Sequence, residues 1–268
     1  MLGKLLKYEA KAGAKPLCAV YAGMAGVFLI GLLARELHVV QIQVTTAFLL
    51  IAGGVAAVVM AVVMAILRYH RGLFGAEGYL TQTLPVSKGK LILAKLTAAY
   101  AWTAVSILAA VLAAAGVMYL FRMDFAGIAG ALIDLGMGTL LLVALPMFAI
   151  QLLAFFGELY FAITLANTRP FLRSNAAFSF VFYLAANFAV GLLELVGMLV
   201  IPLGLHIGET GVYLTAETML GSLLEWTSFG VPARGFTIGI GSGVVDLAVG
   251  IGLLLAARWL LLHKTSVK

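Results

Sequence analysis

Apolar residues fall into six long runs, over residues 16–34, 44–67, 91–120, 137–166, 176–205 and 238–262. Short polar stretches separate them. A helix needs roughly 20 apolar residues to cross the hydrocarbon core of a bilayer, and each run is close to that length or longer. The longer runs imply tilt or extension beyond the bilayer. The runs are continuous and rich in Leu and Ala, with no alternation of apolar and polar positions, so the pattern predicts helices and not strands. Arg35 and Glu36 flank the first run and five more runs follow it, which fits a span better than a cleaved signal peptide. The predicted fold is an all-α membrane protein with six transmembrane helices.

Three segments outside the runs carry their own patterns. Residues 1–15 read as an amphipathic helix. At 100° per residue Lys4, Lys7, Lys11 and Lys15 fall within an arc of about 80°, with Leu2, Leu5 and Leu6 on the far side. Such a helix suits the membrane interface, as an orienting anchor or a mechanical lever. The second segment is the loop 68–90, RYHRGLFGAEGYLTQTLPVSKGK, which is long for a link between neighbouring spans. In it Tyr79, Leu80, Thr83 and Leu84 recur at helical spacing, Pro85 ends the helix and Ser87 is placed to cap the third span. A helix of about two turns with one apolar face must bury that face on lipid or on a soluble partner. The third segment, 206–236, is apolar but broken by Gly208, Gly211, Gly221, Gly230 and Pro232 and by Glu209, Glu217 and Glu225. Re-entrant or interfacial helices are expected there. The chain divides into an interfacial helix over 1–15 and one six-span domain over 16–268.

Composition agrees with this reading. Hydrophobic residues make up 63% and charged residues 10% of the 268, with a mean hydropathy of +1.12. Soluble domains average about 45–50% apolar and 25% charged residues, so only a bilayer can solvate this much apolar surface. The net charge of +6 does not mark a nucleic-acid binder, because the basic residues lie between the apolar runs. With the N-terminus inside, one side holds Lys4, Lys7, Lys11, Lys15, Arg68, Arg71, Lys88, Lys90, Lys95, Arg169, Arg173, Arg258, Lys264 and Lys268. The other holds Arg35, Arg122 and Arg234, which is 14 against 3 of the 17. The positive-inside rule then places both termini in the cytoplasm. Cys18 is the one cysteine, so no disulfide forms within the chain.

Several chemistries are excluded. A Walker A loop needs G-x-x-x-x-G-K-[ST], but Leu follows both Gly3-Lys4 and Gly89-Lys90, so the chain lacks that ATP-binding motif. His38, His70, His206 and His263 lie apart, with no ligand-spaced partner, and no metal site is expected. No catalytic elbow or intramembrane His-Glu-x-x-His is present, so the chain is read as a non-enzyme. Carboxyls inside spans are costly and mark candidate function: Glu158, Glu194 and Asp246 are the three. The plainer reading is a hydrogen bond between helices. On the fifth run Tyr183, Asn187 and Glu194 lie within about 40° of one another and form a polar stripe. It must meet another helix, a partner subunit or water. Gly239 and Gly243 suggest close helix packing at the start of the sixth run.

The run Phe74-Gly75-Ala76-Glu77-Gly78-Tyr79-Leu80, followed by Thr83-Leu84-Pro85-Val86-Ser87 and Lys95, resembles the loop between the second and third spans of bacterial type-2 ABC exporter permeases. The sequence likeness covers about 74–95. The architectural likeness, with an interfacial helix, six spans, a cytoplasmic coupling helix and re-entrant outer helices, covers the whole chain. The resemblance implies that residues 77–84, with Glu77, Tyr79, Leu80, Thr83 and Leu84, dock in a groove of a separate nucleotide-binding ATPase. It implies a second permease subunit, identical or not, in the bacterial cytoplasmic membrane. It also implies that the fifth span, with Tyr183, Asn187 and Glu194, borders a central cavity for a peptide, lipid or drug-like substrate. ATP would act through the partner, and the chain itself would bind no cofactor. The alternative is an ATP-independent channel or secondary carrier. Such carriers often show inverted repeats and broken helices, but no repeat relates 1–134 to 135–268.

Overall fold

The computed structural model describes residues 2–75, 78, 86–134, 136–208, 211–229 and 235–264. The chain folds as two compact units that divide at residues 125 and 126. The first holds three long helices, α1 (Leu2–Glu36), α2 (Val40–Phe74) and α3 (Lys88–Leu120). Residues 1–15 were expected as an amphipathic interfacial helix. From Leu2 they are helical and continuous with the first span in α1, which runs for 35 residues with Pro16 inside it. Proline removes one helical hydrogen bond, yet no break follows at this position.

A short turn joins α1 to α2, with His38 in the left-handed region at φ 57°. Leu50, Ala113 and Leu120 form one buried cluster in this unit, with Met24, Phe28 and Val117 packed on it. Small residues let the helices approach. A Cβ on Gly54 would lie 3.1 Å from the Ala110 backbone, so α2 and α3 touch closely there.

The second unit contains α4 (Phe125–Asp134), α5 (Met137–Ala166), α6 (Asn175–Val200), α7 (Met219–Phe229) and α8 (Ser242–His263), Phe125 being counted with the first unit. Between α5 and α6 the chain reverses through a 3-10 turn at Arg169–Ser174. Asn175 Nδ2 donates to Asn167 Oδ1 at 3.1 Å across that turn. The Phe171 ring packs 4.9 Å from Phe178 and 5.0 Å from Phe182.

Two expected spans end differently from their apolar runs. The fifth run extends to residue 205, but α6 ends at Val200, and Ile201 is extended at φ −75°, ψ 123°. Pro202 explains this, since proline disfavours helical backbone in the residue before it. The sixth run starts at 238, but α8 starts at Ser242.

The segment expected as re-entrant helices departs further from an all-α fold. It contains three short strands, β1 (Gly204–Gly208), β2 (Gly211–Thr215) and β3 (Phe236–Gly239), paired antiparallel in the order β2-β1-β3. Among the described residues of this segment only α7 is helical, and its 11 residues are too short to cross a bilayer. His206 and Thr237 face each other across the sheet, Nδ1 to Oγ1 at 3.0 Å. The Ser222 hydroxyl of α7 accepts from Thr237 N at 3.2 Å. Gly239 lies in β3, so it does not form a helical pair with Gly243. The close approach sits deeper instead: a Cβ on Gly157 of α5 would meet Gly250 O of α8 at 3.0 Å.

Six helices, α1, α2, α3, α5, α6 and α8, are long and apolar enough to cross a membrane, with mean hydropathies of 1.9 to 2.8 over their most apolar windows. Their large apolar side chains point outward. Phe48 is 71% exposed, Leu142 71% and Phe188 72%. Within those windows only 6% to 28% of residues are buried. Apolar surface on this scale demands an apolar solvent.

Candidate functional site

Polar chemistry collects in two places, one in each unit. In the first unit Glu9, on the third turn of α1, takes two cations at once. Arg68 Nη2 of α2 donates to one carboxylate oxygen at 2.7 Å. Lys95 Nζ of α3 donates to the other at 2.8 Å and to the Arg68 carbonyl at 3.1 Å. Lys95 is 5% exposed. A buried ammonium needs its partner in place, because its desolvation is otherwise uncompensated.

Two further contacts fix the same end of α1. Trp102 Nε1 of α3 donates to the Ala10 carbonyl at 3.2 Å. Gly13 leaves room for the Trp102 ring, which a Cβ would meet at 2.8 Å. Arg68 lies in the last turns of α2 and Lys95 in the early turns of α3. Glu9 therefore ties α1 to both flanks of the loop that carries the motif at 74–95.

In the second unit α5, α6 and α8 bring together the three intramembrane carboxyls of the sequence reading. Glu158 on α5 is 3% exposed and Asp246 on α8 is fully buried. Glu194 on α6 is half-buried. Asn187 Nδ2 donates to Glu158 Oε2 at 3.2 Å, and Gln151 Nε2 donates to Glu194 Oε1 at 3.4 Å. The Tyr183 ring meets Phe155 edge-on, at 6.3 Å and 90°. The Asp246 carboxyl faces those of Glu194 and Glu158. Neither of its oxygens has a hydrogen-bond partner.

The stripe of Tyr183, Asn187 and Glu194 thus lies along α5, and two of its members hydrogen-bond there. Asn187 nevertheless remains exposed. Glu77, Tyr79, Leu80, Thr83 and Leu84, the expected docking residues, lie outside the described residues. Beside them, Gly78 N donates to Gly75 O at 2.8 Å.

The sequence reading named Lys95 as one of the inner basic residues and as part of a motif, and passed over Glu9 and Gln151. Glu9 had a signal: it is the single acid among the first 35 residues, set among four lysines. Gln151 had none, being one neutral amide in a long apolar run. Among the described residues no group of three His, Cys, Asp or Glu side chains has the arrangement to hold a metal ion.

Fold and site together define a class, the multi-pass helical membrane protein. Comparisons with family models, with curated proteins and with solved structures find no match to this chain.

Proposed function

We propose that the chain is the permease subunit of an ATP-binding-cassette exporter, working with a separate ATPase and a second permease subunit in the bacterial cytoplasmic membrane. The single observation that carries the reading is the clamp of Glu9, Arg68 and Lys95. A permease without a Walker A loop must receive the energy of ATP by contact. The loop between α2 and α3 is the segment that resembles a coupling loop, and both of its flanks are bound to α1. A push on that loop would move three helices as one body, which is how a partner's closure becomes a transmembrane motion.

The 14-to-3 distribution of basic residues supports a cytoplasmic side for this loop and both termini, where an ATPase would be. The window on α6 is 6% buried, the least of the six, and α6 carries the exposed amide of Asn187. One hydrogen bond to Glu158 leaves part of this exposed amide unsatisfied in hydrocarbon, and a second subunit or a water-filled cavity would supply the further polar partner. The substrate would be a peptide, lipid or drug-like molecule.

The test is affinity capture of the chain after co-expression with its candidate ATPase. Leu80→Asp or Tyr79→Asp puts a charge into the proposed contact and is expected to release the ATPase while the permease stays in the membrane. If the ATPase remains bound to both variants with unchanged stimulation, the coupling role is refuted.

A second reading, an ATP-independent carrier, draws on the carboxyls of α5, α6 and α8, since ion-coupled carriers use intramembrane acids. It predicts substrate flux in vesicles that hold this chain alone. The exporter reading predicts none.

A further inference from the structure

We propose that Asp246, Glu194 and Glu158 form a buried proton-binding site, in which one proton is held between the carboxyls of Asp246 and Glu194. The inference stands on the geometry of the second unit and requires neither transport mechanism.

Three packed helices each contribute one acid: Glu158 from α5, Glu194 from α6 and Asp246 from α8. The titratable groups that face this cluster are these three and the Tyr183 phenol of α6. The described contacts of the cluster include no Lys, Arg or His. Two neutral amides, Asn187 and Gln151, donate to Glu158 and Glu194. Asp246 receives nothing, although it is fully buried and both its oxygens are acceptors.

An ionised carboxylate without a donor is among the most expensive groups to bury, and a like-charged neighbour adds to the cost. One proton removes both problems. A neutral carboxyl donates its O–H to the facing carboxylate, which turns a repulsion into a hydrogen bond.

The ligand must also be small. On α8, three residues before Asp246, Gly243 packs against Met147, and a Cβ there would meet its Sδ at 2.5 Å. Four residues after it, a Cβ on Gly250 would meet Ala154 Cα at 3.1 Å. With α8 so close to α5 on both sides, an organic cation does not fit beside Asp246. The described carboxyls are not arranged to hold a metal ion. A proton needs no space. Uptake forms one O–H bond on a carboxylate oxygen, makes the cluster one unit less negative, and takes the proton from hydronium, which leaves as water. Release reverses each of these changes and weakens the contact between α6 and α8.

Infrared difference spectroscopy tests the site in the full chain, purified in lipid nanodiscs and titrated with acid and base. The expected result is a carboxylic-acid C=O band that persists at neutral pH. It should be lost in Asp246→Asn, shifted in Glu194→Gln, and unchanged when potassium is replaced by sodium. The two variants are nearly isosteric, and the parental spectrum stands even if one of them fails to fold. Absence of the band from the parental chain at neutral pH overturns the proposal. So does an identical band in both variants. Loss of the band on adding sodium at fixed pH would mean a metal cation occupies the cluster, which also overturns it.

Discussion

Replacing Glu9 with Gln removes the one negative charge between two cations and leaves the shape of the side chain almost unchanged. The amide oxygen of Gln can still accept from one of the two cations, but as a neutral acceptor, and the amide NH₂ then faces the other. Whichever cation faces the NH₂ loses its acceptor, and Arg68 Nη1 already has no hydrogen-bond partner. Breaking a fully buried pair costs about 3–5 kcal/mol. Here the Glu9 side chain is 14% exposed and that of Arg68 24%, so solvent relieves part of the cost. The expected loss is about 2–3 kcal/mol.

The mechanism adds a second expectation. Lys95→Met removes the charge that Glu9 leaves stranded while keeping the stem buried. The double variant Glu9→Gln, Lys95→Met should therefore be less destabilised than the sum of the singles, by at least about 1 kcal/mol. Equilibrium unfolding in mixed detergent micelles, read by tryptophan fluorescence, measures both quantities. A Glu9→Gln chain within about 0.5 kcal/mol of the parent, or strict additivity in the double variant, would refute the argument.

Two other outcomes follow from the structure and the sequence. With Cys18 replaced, single cysteines at His38, Phe125 and Thr215 should react with an impermeant thiol reagent from outside the cell, and those at Ala76, Thr168 and Thr265 should not. A reversal at any of the six breaks the proposed topology. Gly250→Val forces a branched side chain against Ala154, where a Cβ alone would already lie 3.1 Å from backbone, and should cost about 1–3 kcal/mol in the same unfolding assay. Gly252→Val on the same helix, with nothing within 4 Å of its Cβ, should stay within about 0.5 kcal/mol. Equal effects at both glycines would show that α5 and α8 do not pack as described.

The six apolar helices were legible because a bilayer imposes one simple requirement, about 20 apolar residues in a row, and the chain meets it six times. Residues 201–241 were less legible. Hydropathy assigned Leu203 to the fifth span and Ile238 to the sixth, because it counts apolar character and ignores backbone geometry. Pro202 was a visible stop signal that the length of the run outweighed. The strands have 5, 5 and 4 residues, too few for alternation to stand out in a chain this apolar. Gly239 and Gly243 have helical spacing in the sequence, yet β3 takes the first of them. The clamp was half legible. Lys95 drew attention as part of a motif, but its partner lies 86 residues away in sequence. No local pattern links them.

The two polar clusters follow opposite rules, and charge balance explains each. At the clamp one carboxylate meets an ammonium and a guanidinium, so opposite charges face each other and hold three helices in one arrangement. Such a contact has no reason to change with conditions, which suits a part that transmits force. At Asp246 acids face acids, and the only donors described are amides bound to Glu158 and Glu194. That arrangement has no single charge state in which every group is satisfied. Fully ionised, it leaves Asp246 without a donor against two like charges. With a proton bound, α6 and α8 gain a hydrogen bond. A membrane protein that needed only stability would place leucine at position 246, as it does at Leu247 beside it. A buried acid there is useful when its occupancy changes, because each change alters the contact between two spans.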